Sequence, residues 1–127
     1  MGIGVKPHTE SMTEDDYISE LRSRWPREHT DDVTLETISL AGEAVRAFPL
    51  SVRLLVMRGN LIELGPENSP HSLDDALACY QKAIEIDPQF AEAWEDIGYF
   101  QHTVLDDETA AQPYFHEAKR LRGHHEA

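Results

Sequence analysis

Small, aromatic and proline residues recur along this chain at fixed intervals, and that recurrence limits the fold more than any other feature. Pro49, Leu55 and Gly59 are answered 39 residues later by Pro88, Trp94 and Gly98. Ala76, Tyr80 and Ala83 are answered 35 residues later by Ala111, Phe115 and Ala118, and Ala44 precedes Ala83 by the longer interval. A repeat of about 34 residues accounts for both spacings if the excess lies in the loops "GPENSPHS" and "LDDE". The physical reason for the pattern is close packing. A glycine or alanine lets two helix backbones approach, and an aromatic side chain fills the space beside it.

The runs between these markers read as helices. Thr13-Glu14-Asp15-Asp16 forms a capping box that opens a first helix carrying Tyr17, Ile18, Leu21 and Trp25, which Pro26 ends. Asp32 is expected to cap a second, from Val33 to about Ala47, with Leu35, Ile38, Ala41, Ala44, Val45 and Phe48 on one face. Ser51 opens a third through Leu64, carrying Leu54, Leu55, Val56, Leu61 and Ile62. Ser72-Leu73-Asp74-Asp75 is another capping box, starting a fourth through Ile86. A fifth runs from Phe90 to about Val104, and a sixth ends near Arg122 with Gly123 as its stop. No stretch alternates with period two, so no strand is expected. The fold class that follows is all-α, built of antiparallel helix pairs. Residues 1–12 are expected to form a tail, 13–123 a single domain, and 124–127 a frayed end.

These residues resemble the tetratricopeptide repeat (TPR) family. Its first helix carries Trp-x-x-Leu-Gly-x-x-Tyr and its second Ala, an aromatic, Ala and Pro. Trp94, Ile97, Gly98, Ala111, Phe115 and Ala118 match best; Leu55, Gly59, Ile62, Ala76, Tyr80, Ala83 and Pro88 match the preceding unit. Pro113 inside the sixth helix is a familiar feature of the family. Residues 50–122 carry the resemblance, and 13–49 fit a degenerate first unit through Ala44 and Pro49. Arg58 and Gln101 depart from the pattern, standing where apolar and aromatic residues are usual. The resemblance implies a right-handed superhelical array of about six helices. Trp94, Tyr80, Phe115 and Cys79 then belong to the core.

Charge narrows the partners. Eleven Lys and Arg stand against 24 Asp and Glu, a formal net charge of −13. Such a surface repels nucleic acid and anionic lipid, and attracts basic proteins or peptides. No run of eighteen apolar residues exists to span a membrane, and the amino terminus has no secretory hydrophobic region. Cys79 is the sole cysteine, which excludes an internal disulfide and suits a reducing cytoplasm.

Chemistry-bearing residues are scattered. The seven histidines form no metal-ligand motif: His124-His125 are adjacent at the end, His29 and His71 fall in loops, and His102 and His116 lie on different helices. Asp15-Asp16, Asp31-Asp32, Asp74-Asp75 and Asp106-Asp107 sit at helix starts and lack the alternating oxygen ligands of a calcium loop. No catalytic, cofactor or metal residue is assigned, and the expectation is a non-enzymatic module.

Function is therefore sought on the inner face that the resemblance implies. It places there Arg53, Val56, Met57, Asn60, Glu63 and Leu64 of the third helix, and Glu92, Glu95, Asp96, Tyr99, His102 and Thr103 of the fifth. Family members that grip acidic chaperone tails use Lys, Arg and Asn on these faces. Here Glu92, Glu95 and Asp96 would repel such a tail. The reading is an adaptor whose acidic concave groove holds a partner peptide or helix with basic and apolar side chains. The alternative is a structural, self-assembling element, a homodimer or larger scaffold, joined through an outer face with Tyr114 and Leu121.

Overall fold

The computed structural model describes residues 12–27 and 32–126. The expected tail to Ser11 and part of the loop after Pro26 lie outside them. Six α-helices follow one another: α1 (Glu14–Ser23), α2 (Leu35–Ala47), α3 (Val52–Glu63), α4 (Leu73–Ile86), α5 (Ala91–Tyr99) and α6 (Glu108–Glu126). A π-helical turn, Phe100–Val104, extends α5. There is no strand among the described residues.

The helices start where short polar side chains meet orphaned backbone donors. Thr13 and Ser72 each make both bonds of a capping box, with Asp16 and Asp75 reaching back. Ser51 caps α3 by accepting from the Leu54 amide, and its hydroxyl also donates to Glu14 of α1. That contact fixes the first helix pair against the second. The cap of α2 is Thr34, which accepts from the Thr37 amide at 3.1 Å, so α2 begins at Leu35 and not at Val33. Val33 is buried ahead of the helix, and Leu35 is 39% exposed. At the other end, α6 continues through Gly123 to Glu126. Gly123 keeps a negative φ with open space around it, so it does not terminate the helix.

The helices pack as neighbours in chain order. Contacts are densest within the pairs α3/α4 and α5/α6, and α5 packs on α4 while touching α3. The core runs through all three pairs, from Tyr17, Ile18 and Leu21 to Leu54, Leu61, Tyr80, Ile97 and Phe100. Tyr80 and Cys79 are buried as expected. Trp94 and Phe115 are only half-buried. Trp94 lies against Tyr114 and donates its indole N–H to the Pro88 carbonyl at 2.8 Å. Phe115 lacks cover because no helix pair follows α6 among the described residues.

The two departures from the repeat pattern have local explanations. Arg58 crosses from beside Gly42 on α2 to α4, where it donates to the Cys79 sulfur at 3.0 Å. Gln101 sits in the π turn, and its carbonyl accepts from the Asp107 amide at 2.8 Å, closing the bend into α6. Asp106 takes a positive φ of 52° at that bend, and Asp107 then caps α6 through the Ala110 amide.

Candidate functional site

The first helices of the three pairs, α1, α3 and α5, enclose a hollow of about 300 Å³. Its floor is apolar: Trp25 from the end of α1, Met57 from α3 and Phe90 at the start of α5, all half-buried. Arg22, Arg53, Asn60 and Glu92 form the rim. The guanidinium groups of Arg22 and Arg53 make no hydrogen bond or ion pair among the described residues, and both residues are exposed. The position of Phe90 is informative. It occupies the N-cap of α5 without any side-chain cap bond, in a place where Ser, Thr, Asp or Asn is favoured.

Beside the hollow lies a hydrogen-bonded polar cluster between the second and third pairs. The Asn60 amide donates to Asp96 at 3.3 Å, and the Tyr80 hydroxyl contacts Asn60 Oδ1 at 3.1 Å and Glu63 Oε2 more closely. One hydroxyl proton thus faces two acceptors. Burial pushes the Glu63 carboxyl up from its ordinary value, against the bond from Tyr80. Asp96 is pushed further, to about 7, first by burial and then by the negative charge of Glu92. Around neutrality Asp96 therefore exchanges between neutral and charged forms.

The expected acidic lane resolves into three different environments. Glu92 is exposed on the hollow's rim. Asp96 is half-buried in the Asn60–Tyr80 cluster. Glu95 lies with α6, accepting from Arg122 at 2.6 Å. Of the other expected groove residues, Arg53, Met57 and Asn60 do meet at the hollow. Val56 is a correction: it is 1% exposed and belongs to the core, because its side chain joins the buried apolar cluster with Leu54, Leu55 and Tyr80. Glu63 turns back onto Tyr80. Leu64 and Tyr99 are about half exposed, and the Tyr99 ring stands edge-on to Phe115 at 5.0 Å. His102 and Thr103 are exposed in the π turn, Thr103 bonding back to the Tyr99 carbonyl.

The same helix-pair geometry recurs along the chain. In the second pair the ring of Tyr80 closes on Gly59, and in the third the ring of Phe115 closes on Gly98. The sequence profile described as TPR repeat matches residues 72–103, spanning α4 and α5. Residues 72–103 thus match a tetratricopeptide repeat (TPR). No curated protein matches the sequence. TPR repeats serve generally as protein–protein interaction modules, and none of the described helices is long and apolar enough to cross a membrane.

Sequence reasoning missed three hollow residues: Arg22, Trp25 and Phe90. Trp25 reads as packing because it continues the apolar stripe of α1, and Arg22 as a solvated charge. Phe90 alone carried a signal, an aromatic at a helix start where a short polar residue is preferred.

Proposed function

We propose that this protein is a non-enzymatic adaptor whose concave face grips one segment of a partner protein. The observation behind the reading is the hollow itself. Three apolar side chains from three separate helices converge there, with charged groups of both signs around them. An aromatic or long aliphatic side chain of the partner fills the space over Trp25, Met57 and Phe90. A basic side chain beside that anchor meets Glu92, and the net charge of −13 steers basic segments toward the protein. Arg22 and Arg53 lie on the α1 and α3 side, opposite the Glu92 of α5. This division of charge orients the segment across the groove.

An array of twelve-residue peptides tests the proposal. Each peptide carries a central Leu, Phe or Trp flanked by Lys and Arg, by Asp and Glu, or by Ser. Binding is expected for peptides with an apolar anchor and basic flank, weakening at least tenfold in Phe90→Ala and in Glu92→Lys. Preference for acidic flanks that persists in high salt would overturn the charge assignment. Binding untouched by Phe90→Ala would overturn the site.

A further inference from the structure

The two ends of the array form a second interaction system, separate from the concave hollow. At the second repeat, α5 packs on α4, and Val56 of α3 and Tyr80 and Ala83 of α4 are all buried. The repeat register identifies their counterparts in the last repeat as Glu95, Phe115 and Ala118, with Lys119 in place of Ile84 and Arg122 in place of Asp87. These counterparts line an open hollow of about 420 Å³ on α5 and α6. The last pair thus keeps the seat for another first helix, with a half-buried aromatic floor and basic residues on its edge. Tyr114 and Leu121, the sequence-based candidates for a joining face, do not form it. Tyr114 packs on Trp94 and Leu121 is 8% exposed.

The opposite end has the matching character. While α1 turns Tyr17, Ile18 and Leu21 into the core, Met12, Asp16, Ser19 and Glu20 line its other side. Together with Leu40 and Glu43 of α2 they enclose a hollow of about 580 Å³. Among the described residues that line it, the one cation, Arg24, is held by Glu20 at 2.9 Å. This end is acidic around Met12 and Leu40; at the other, around Phe115, Arg122 is held by Glu95 at 2.6 Å and Lys119 makes no ion pair among the described residues, leaving that end the more basic.

We propose that the chain associates head to tail with a second copy, α1 of one molecule seating on α5 and α6 of the next. Charge selects this orientation. Joining two like ends would oppose acid to acid or base to base, whereas the mixed join opposes Asp16, Glu20 and Glu43 to Lys119 and Arg122. Such an interface joins two different surfaces, so it leaves a free end on each copy and grows an open chain instead of closing as a dimer.

Sedimentation velocity of the full chain from micromolar to near-millimolar concentration tests this. The weight-average mass of the wild type is expected to rise past that of a dimer without a plateau. Two variants, Lys119→Glu/Arg122→Glu and Ser19→Lys/Glu20→Lys, are each expected to remain monomeric, and their equimolar mixture to associate again. Circular dichroism confirms that each variant keeps its helices. If Lys119→Glu/Arg122→Glu loses helicity, Lys119→Glu alone carries the same test. A wild type that stays monomeric throughout would overturn the proposal, as would a plateau at the dimer or a mixture that fails to associate.

Discussion

The ring of Tyr80 occupies the space that a β-carbon on Gly59 would need, its Cε1 standing 2.4 Å from that position. Tyr80 has no room to withdraw, being 0% exposed and tied by its hydroxyl to Asn60 and Glu63. Gly59→Ala is therefore expected to destabilise by about 2 kcal/mol, overcoming the gain of about 1 kcal/mol that alanine brings to a helix interior. Gly98→Ala meets Phe115 at 2.7 Å, but this ring is half-exposed and can move, so the loss is expected to be smaller. Gly123→Ala, with nothing within 4 Å, is expected to raise stability by up to about 1 kcal/mol. Thermal midpoints should rank the three variants in that order. Equal effects from Gly59→Ala and Gly123→Ala would contradict the packing argument.

The Asp96 carboxyl gives a pH signature. Its folded pKa of about 7 lies above its ordinary value of 3.8, so the folded state binds the proton more tightly than the unfolded chain. The associated stability is fully present below the ordinary value and is lost as pH rises through about 7. Glu63, shifted in the same direction, adds to the effect. Asp96→Asn imitates the neutral acid. It is expected to raise the melting temperature more at pH 8 than at pH 5, and a pH-independent difference would sink the assignment.

Ser72 accepts from the Asp75 amide at 3.3 Å, while Asp75 Oδ2 accepts from the Ser72 amide at 2.9 Å. Ser72→Ala should cost about 1 kcal/mol. Amide hydrogen exchange should locate the loosening in the first turn of α4, leaving α6 protected. Uniformly faster exchange would show that the cap supports more than its own helix.

How far the sequence could be read depended on whether the deciding contacts were local. The caps at Thr13, Ser51 and Ser72 are set by residues three apart, and the Gly59–Tyr80 and Gly98–Phe115 contacts repeat at a visible interval. Those features were legible. At α2, two capping residues stood close together, and the one whose hydroxyl reached the Thr37 amide prevailed. The groove was harder because helical spacing gives a face but not its depth. Val56 and Met57 are adjacent in sequence, yet Val56 is sealed in the core while Met57 opens into the hollow. Trp25 and Phe90 converge only through the packing of three first helices, which no local pattern encodes. The carboxylates likewise differ through their partners: Arg122 comes to Glu95 from the end of the chain, and Asn60 to Asp96 from the preceding repeat.

The most direct test of the concave site is NMR mapping of a peptide selected for an apolar anchor and basic flank. The two tryptophans report from different places: Trp25 lines the hollow, whereas the Trp94 indole is held by the Pro88 carbonyl. Titration is expected to move the Trp25 indole resonance and the amides of Arg53, Met57, Asn60 and Glu92, leaving the Trp94 indole in place. Shifts that gather on α2 and α4, with the Trp25 indole unmoved, would contradict the account.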